Sequence, residues 1–274
     1  MAKESNIVVC GSARVGKSTL INALCGRELA RTSNSLSSQT DQMEKYILNR
    51  DYISYDEASN SNENQYSITI WDTPGIESWT KEHVQEHISK IMMKSNPVCM
   101  IYCASPGSFA RLDQLEWIIE SSIKSNIYCA LVCTNKYSGG KQSREQLLKD
   151  FHSLLSRYQP MTKDENNVKY YGDAALCTAV NSIPFEDEDL EAQKGVEGIN
   201  ELLFGITSSL KGDKLIAWCH TIADNESFWS TMINRLAEVY KIAGPFVEEL
   251  LQKHGNDIAK VLIPLITGII FSRK

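Results

Sequence analysis

The sequence predicts an α/β fold in which a mostly parallel six-stranded sheet carries helices on both faces. Short apolar runs alternate with helical patterns up to about residue 210, in the order βαββαβαβαβα. This alternation is typical of a parallel sheet with crossover helices. After Lys211 only helical segments follow. We therefore expect one α/β domain over residues 1–210 and a small helical C-terminal region over residues 211–274.

Six segments are predicted to form strands, because each is a short apolar or alternating run next to turn-forming residues. They are Asn6–Cys10, Glu44–Leu48, Tyr66–Trp71, Val98–Cys103, Ile127–Thr134 and Ala174–Thr178. The polar segment between Asn49 and Gln65 is rich in Asn and Ser, and we expect it to be a long surface connection between two strands.

The predicted helices of the α/β domain have apolar residues at helical spacing. They are Lys17–Cys25, which Gly26 ends, Lys81–Lys94, Leu112–Lys124, Ser143–Tyr158 and Val196–Leu210. In the C-terminal region, one helix is predicted from the stripe formed by Trp229, Met232, Ile233, Leu236, Val239 and Tyr240. Gly244-Pro245 is expected to end it.

The composition of the chain indicates which partners and which cellular location to expect. The 28 basic and 34 acidic residues give a net charge of −6, and no long run of basic residues is present, so we expect no nucleic-acid partner. Residues 1–9 do not resemble a secretory signal, and no apolar stretch approaches the roughly 18 residues of a spanning helix. We expect a cytoplasmic protein, either free or peripheral on a membrane. Several of the 8 cysteines fall in apolar runs and are expected to act as small core residues.

The first chemical motif lies between the first apolar strand and the first helix. It has the pattern G-x-x-x-x-G-K-S and consists of Gly11, Ser12, Ala13, Arg14, Val15, Gly16, Lys17 and Ser18, followed by Thr19. Glycines let main-chain N–H groups surround phosphates, and the helix N-terminus adds partial positive charge. Lys17 is expected to contact the β- and γ-phosphates, and the Ser18 hydroxyl to bind Mg²⁺.

A second motif, D-T-P-G, follows the third predicted strand at Asp72 to Gly75. With the phosphate loop, it resembles the TRAFAC class of P-loop GTPases. GKSTLINALCG and WDTPGI look like the Era/TrmE branch, whereas the spacing from Lys17 to Thr40 is similar to the septin-related, immunity-associated GTPases of the AIG type. Both branches remain open.

The resemblance implies a P-loop GTPase G domain that binds GTP or GDP with Mg²⁺. Asp72 and Ser18 would be metal ligands, and the Gly75 N–H would contact the γ-phosphate. Thr40 would be the switch I threonine, a third metal ligand that contacts the γ-phosphate only in the triphosphate state. The alternative is that Thr40 belongs to an ordinary Ser/Thr-rich loop.

Base recognition departs from the family pattern. The family has [NT]-K-x-D after the fifth strand, whereas this chain has Asn135, Lys136, Tyr137 and Ser138. By resemblance Lys136 would lie along the base plane and Asn135 would tie the loops together. A serine can replace the two guanine hydrogen bonds of the aspartate with one weaker bond, so guanine selectivity is expected to be weaker unless another acid reaches the base.

At the end of the sixth predicted strand, Thr178, Ala179 and Val180 resemble the last base-binding motif of the family. By resemblance, the Ala179 N–H would meet the guanine O6.

Hydrolysis would rest on Lys17, Arg14, Thr40 and Gly75. Ile76 stands where Ras-like members have a glutamine, so slow turnover is expected unless a partner or a second copy completes the site. Guanylate-binding proteins resemble this chain in having arginine at the Arg14 position, where it acts as a finger when two domains meet. The alternative for Arg14 is a solvated or switch-contacting side chain.

Two other segments have competing interpretations. His83-Val84-Gln85-Glu86-His87 matches an inverted zinc-protease pattern, but it lies where the switch II helix is expected, and we interpret it as a polar helix face. The apolar segment within residues 258–274 is either a terminal helix docked on the protein or a membrane-surface or partner-binding segment.

We therefore expect a protein that hydrolyses GTP slowly to GDP and phosphate and changes conformation at its switches. Its partners would be GTP or GDP, an unknown protein effector and, in a dimer, a second G domain. The alternative is a non-hydrolysing nucleotide-bound scaffold or membrane-associated assembly module with relaxed base selectivity.

Overall fold

The computed structural model describes residues 3–32, 43–56, 59–73, 75, 82, 86, 89, 97–108, 112–187 and 191–240. Several predictions fall on residues outside these ranges, so their outcome is open. They concern Thr40, Ile76, His83, His87, the Gly244-Pro245 break and the apolar segment within residues 258–274.

The central feature is an eight-stranded sheet, in the spatial order β2-β3-β1-β4-β5-β8-β7-β6. Its strands are β1 (Lys3–Gly11), β2 (Glu44–Asp56), β3 (Ser59–Asp72), β4 (Pro97–Ala104), β5 (Tyr128–Cys133), β6 (Met161–Glu165), β7 (Val168–Tyr171) and β8 (Ala175–Ala179). The five adjacent strands β3, β1, β4, β5 and β8 run parallel to one another, whereas the pairs β2–β3, β8–β7 and β7–β6 are antiparallel. The predicted α/β class and mostly parallel sheet are confirmed.

The predicted strand number of six is wrong, because β6 and β7 extend one edge of the sheet. The side chains of β6 are mostly exposed, so Met161–Glu165 lacks the apolar pattern that identifies a strand. Asn166 and Asn167 join β6 to β7 with positive φ angles of 53° and 62°. Consecutive residues at positive φ are typical of tight hairpin turns, and asparagine tolerates them.

The prediction that the segment between Asn49 and Gln65 is a surface connection is also wrong. Strands β2 and β3 continue as an antiparallel pair through this segment, with Asp51 opposite Gln65 and Ile53 opposite Glu63. Main-chain hydrogen bonds hold such a pair without an apolar side-chain pattern, which is why the composition resembles a loop.

The described helices are α1 (Lys17–Cys25), α2 (Leu112–Lys124), α3 (Gly140–Leu155), α4 (Ile199–Ser209), α5 (Gly212–Thr221) and α6 (Glu226–Tyr240). A two-stranded sheet of β9 (Phe185–Asp187) and β10 (Ala192–Lys194) precedes α4. Of the predicted helix Lys81–Lys94, only Glu82, Glu86 and Ser89 are described, and each is helical.

Helices pack on both faces of the sheet because each buried strand presents apolar side chains alternately to the two sides. In β1, Ile7 and Val9 face the cluster that contains α1, α4, α5 and α6, while Val8 and Cys10 face α2 and α3. All 8 cysteines are buried, and burial raises the pKa of the Cys10 thiol to about 12. The thiols are thus core residues.

Helices α5 and α6 contribute side chains to the hydrophobic cluster that packs on one face of the sheet. Trp218 and Trp229 are among the largest fully buried side chains. The Trp218 indole N–H donates to Thr207 Oγ1 at 3.0 Å. Nothing in this packing marks residue 210 as a boundary, and the division there stays a prediction. Among the residues that the structure describes, none of the helices combines the length and the apolar character needed to cross a bilayer.

Candidate functional site

The predicted phosphate loop joins the C-terminal end of β1 to the first turn of α1. Gly11 has φ 141°, and a Cβ added there would lie 2.0 Å from the Cys103 carbonyl oxygen, so only glycine fits beside β4. Gly16 has φ 85° and precedes α1. The loop therefore depends on glycines at the two points where the chain turns.

Lys17 lies across the inside of this loop. Its Nζ donates to Ser12 O at 2.7 Å and to Gly11 O at 3.3 Å, and the residue is only 7% exposed. An ammonium group held among main-chain carbonyls beside a helix N-terminus provides concentrated positive charge for an anion. Ser12 is buried beside it, and Ala13 and Thr19 are half-buried.

Arg14 is exposed and has φ 59°, the left-handed region that non-glycine residues rarely adopt. Val15, in contrast, is buried. A strained, exposed arginine in a loop of mostly buried residues is a candidate for function, because strain persists where the surrounding structure enforces it.

The predicted metal ligands Ser18 and Asp72 are in direct contact. Ser18 Oγ donates to Asp72 Oδ2 at 2.6 Å. Asp72 is fully buried, and its Oδ1 has no hydrogen-bond partner among the described residues. Burial raises the pKa of the Asp72 carboxyl, whereas the Ser18 hydrogen bond and the Lys17 charge lower it. A buried carboxylate oxygen without a partner and a neighbouring hydroxyl suit a hard cation such as Mg²⁺.

Gly75 lies against the phosphate loop. A Cβ added at Gly75 would lie 2.6 Å from the Ala13 nitrogen and 2.7 Å from its Cβ. The main chain of the D-T-P-G segment thus contacts the loop directly, and any larger residue would force the two segments apart.

The segment after β5 ties two loops together. The Thr134 N–H donates to Ala104 O at 2.9 Å, and Thr134 Oγ1 donates to Val15 O at 2.5 Å. Asn135 has φ 46°, and its side chain packs on Gly16. Asn135, which is predicted to tie the loops together, thus lies against the phosphate loop. The hydrogen bonds of Thr134 join the end of β4 to the phosphate loop, although no sequence motif pointed to this residue.

The two predicted base-binding turns are adjacent. The Lys136 N–H donates to Val180 O at 3.1 Å, and the Val180 N–H donates to Cys133 O at 2.8 Å. Thr178 Oγ1 donates to Asn167 O, so its side chain holds the β6–β7 turn. Ala179 is half-buried in the same turn. Ser138 is exposed, and its N–H donates to Asn135 O at 2.8 Å.

Sequence reasoning missed three residues around Lys136. Lys136 Nζ lies 2.6 Å from Glu197 Oε1, and Tyr137 OH donates to Glu197 Oε2. Arg144 Nη1 donates to Lys136 O at 2.6 Å. Glu197 follows β10 and belongs to no recognised motif, so only the tertiary structure brings it to this place.

One family of known proteins matches this chain in sequence. The sequence model of the family described as 50S ribosome-binding GTPase matches residues 6–136. No curated protein sequence matches the chain.

Several solved structures are similar to it. Toc33 from Arabidopsis thaliana in complex with GDP and Mg²⁺ has 17% identity and a TM-score of 0.46, over 76% of this chain and 84% of Toc33. Era from Aquifex aeolicus has 19% identity and a TM-score of 0.45, over 77% of this chain and 58% of the Era chain.

The elongation factor SelB from Methanococcus maripaludis, in complex with a GTP analogue, has 14% identity and a TM-score of 0.40 over 66% of this chain. The chain spans 31% of the SelB structure and 28% of a bacterial selenocysteine-specific elongation factor. The segment that the family model matches contains the predicted phosphate loop, the D-T-P-G segment and the Asn135-Lys136 turn, and residues 6–136 are therefore similar in sequence to this GTPase family.

Proposed function

We propose that the protein binds GTP with Mg²⁺, hydrolyses it slowly to GDP and phosphate, and changes conformation between the two states. The observation that carries the proposal is the contact of Ser18 with the buried Asp72, one of whose oxygens has no partner among the described residues. This pair lies beside a loop whose lysine points inward. A site of this composition suits a phosphate chain and a divalent cation together.

In the proposed reaction, a water oxygen forms a bond to the γ-phosphorus, and the bond from that phosphorus to the β–γ bridging oxygen breaks. The proton that the water loses passes to an oxygen of the released phosphate, and the leaving GDP oxygen gains negative charge. Lys17 and the N–H groups of the loop stabilise that charge. Ser18 and Asp72 would hold Mg²⁺, which supplies neutralisation of phosphate charge when it is bound.

Gly75 links the site to the proposed conformational change. Its main chain already contacts Ala13, so a γ-phosphate near the loop would meet the Gly75 N–H and favour one arrangement of the following segment. Thr40 is the proposed partner from switch I and lies outside the described residues.

Arg14 is the proposed source of activation by a second copy. Its side chain is exposed, while Lys17 occupies the inside of the loop. The exposure of Arg14 supports an outward direction, from which the guanidinium would reach a phosphate chain in a facing domain. An arginine placed on the transferring phosphoryl group typically increases the rate by about 10³- to 10⁵-fold.

The test is phosphate release from GTP as a function of protein concentration, for the wild type and Arg14→Asn. Asparagine tolerates the φ of 59°, so this variant removes the charge and keeps the backbone. We expect specific activity to rise with wild-type concentration and to stay flat for the variant, at least 100-fold lower at the highest concentration.

Arg14→Lys is the matched control, since it retains the charge but not the planar fork, and we expect it to recover little activity. Equal activity of all three proteins would refute the role of Arg14. Tight GTP binding without phosphate release at any concentration would refute hydrolysis and leave a nucleotide-bound scaffold. Absence of Mg²⁺-dependent binding of GTP and GDP would refute the whole proposal.

A further inference from the structure

Ser138 leaves the guanine edge without its usual acceptor. Guanine presents two donors there, the N1–H and the N2 amino group, and a carboxylate accepts from both. Ser138 is exposed, and its main chain closes a tight turn onto Asn135 O. Its hydroxyl offers one oxygen in place of two.

Glu197 is held beside the two turns that are predicted to bind the base. Its main-chain N–H and C=O form an antiparallel bridge with Asn181, at 3.0 and 2.8 Å, one residue after Val180. The Asn181 side chain fixes the same loop by donating to Gly195 O at 3.0 Å. The position of Glu197 is therefore set by main-chain bonds to Asn181, the residue that follows the Thr178–Val180 segment.

The carboxylate of Glu197 also contacts the other turn. Oε1 lies 2.6 Å from Lys136 Nζ, and Oε2 accepts from Tyr137 OH. Tyr137 occupies the variable position of the N-K-x-D pattern, directly before Ser138. Glu197 thus contacts, from the opposite loop, the two residues that directly precede Ser138.

The charge state of Glu197 suits an acceptor. Hydrogen bonds from Lys136 and Tyr137 lower the pKa of its carboxyl, and nearby Lys194 acts in the same direction. An ionised carboxylate has about four lone-pair directions, and each oxygen here has one donor. Each oxygen keeps a direction for one further N–H group.

We propose that Glu197 supplies the guanine-selecting carboxylate that Ser138 cannot provide, accepting hydrogen bonds from the N1–H and the N2 amino group. This inference rests on the proposed nucleotide-binding function. It makes Glu197 the residue that determines specificity, and it accounts for an N-K turn that lacks the aspartate.

The experiment compares the affinities of the wild type and Glu197→Gln for GDP, xanthosine diphosphate and ADP. Glutamine keeps one acceptor oxygen and replaces the other with an NH₂ donor, which meets the guanine amino group unfavourably but matches the xanthine 2-carbonyl. We expect Glu197→Gln to bind GDP about 10- to 100-fold more weakly and to bind xanthosine diphosphate more tightly than the wild type does.

Two further variants separate base recognition from a structural effect. Glu186→Gln makes the same change at an exposed position on β9, and we expect no change in any affinity. Ser138→Asp in the Glu197→Gln background places a carboxylate at the family position, and we expect it to recover most of the GDP affinity. A purely structural role of the Lys136–Glu197 pair would weaken all three nucleotides equally and would not be rescued.

The outcomes distinguish this inference from the proposed function. If wild type binds GDP tightly and Glu197→Gln keeps the GDP-over-xanthosine-diphosphate ratio, the inference is overturned while the nucleotide-binding proposal stands. If wild type binds none of the three nucleotides with Mg²⁺ present, the proposed function fails, and the inference fails with it.

Discussion

Asp72 is a buried carboxylate whose two oxygens have different surroundings. One accepts from Ser18, and the other has no partner among the described residues. Burying an ionised carboxylate is unfavourable unless its charge is compensated. We therefore expect Asp72 to destabilise the folded protein when no cation is bound and to stabilise it when one is.

Asp72→Asn tests this balance. In EDTA we expect the variant to be at least as stable to heat as the wild type, because it no longer buries a charge. With Mg²⁺ we expect the Mg²⁺-dependent part of its GDP affinity to fall by about 100-fold. Thermal unfolding in EDTA and GDP titration at fixed Mg²⁺ check the two expectations. A clear loss of stability in EDTA would show that contacts within the protein already compensate the charge.

The pH dependence of stability follows from the same group. Because burial raises the pKa of Asp72, the folded state binds this proton more tightly than the unfolded state does. Without Mg²⁺, the contribution of Asp72 to the free energy of unfolding therefore falls as pH rises from the unfolded pKa through the folded one. Asp72→Asn should remove that component, which denaturant unfolding across this pH range in EDTA measures. An unchanged pH profile would assign the dependence to other groups.

At the residue scale, the motifs predicted a phosphate and metal site at Lys17, Ser18, Asp72 and Gly75, because phosphate chemistry restricts those positions to few residue types. Glu197 could not be found this way. Its proximity to Lys136 depends on the path of the chain through β9 and β10, and no local pattern encodes that path.

At the scale of elements, α1 is held at its C-terminal end by Asn225, which precedes α6. Asn225 Nδ2 donates to Ala23 O at 2.9 Å and to Leu24 O at 3.0 Å, while Oδ1 accepts from the Phe228 N–H at 3.1 Å. The buried Asn225 side chain thus forms hydrogen bonds with main-chain groups at the C-terminal end of α1 and at the beginning of α6, which would otherwise lack partners within their helices.

We expect Asn225→Ala to lower the free energy of unfolding by about 2–3 kcal/mol, since it leaves buried polar main-chain groups without partners at two helix ends. Urea denaturation gives this value. Asn225→Asp is the matched control, because it keeps the acceptor for Phe228 but turns an oxygen toward the two α1 carbonyls. If Asn225→Asp retains full stability, the contact with α1 contributes nothing and the prediction is wrong.

Elements with strong local patterns were predicted closely, and those without were not. Lys17–Cys25 and Leu112–Lys124 have the predicted bounds, because apolar spacing and terminal signals agree there. The β6–β7 pair and the extension of β2 and β3 were missed, since main-chain pairing with a neighbour, and not side-chain burial, makes these segments strands.

At the scale of the whole molecule, α5 and α6 complete the core beneath the sheet. Trp229 is 1% exposed, and its indole N–H donates to Ile222 O at 3.0 Å. Its ring contacts Phe228 edge-on at 5.0 Å between centroids. Trp229 belongs to the same buried cluster as Ile7 of β1 and Leu20 of α1, so the beginning of the predicted C-terminal region lies within the same packed unit as the proposed nucleotide site.

We expect Trp229→Ala to lower the free energy of unfolding by about 3–5 kcal/mol, the usual effect of removing a buried tryptophan. Urea unfolding followed by far-UV circular dichroism and by tryptophan fluorescence should give one coincident transition for the wild type. Trp117→Ala, at a half-buried position on α2, is the control and should cost clearly less. Two separate wild-type transitions, with Trp229→Ala shifting only one, would instead indicate an independent C-terminal unit.

The sequence by itself determined the α/β class, the phosphate loop, the D-T-P-G segment and the turn at Asn135, because local chemistry and short-range periodicity encode each of them. Only the tertiary structure decided the eight-stranded sheet, the packing of α5 and α6 on the core, and the meeting of Glu197 with Lys136. These features depend on contacts between residues far apart in the chain. The stabilising free energy comes from those distant contacts, so no pattern in the local sequence indicates them.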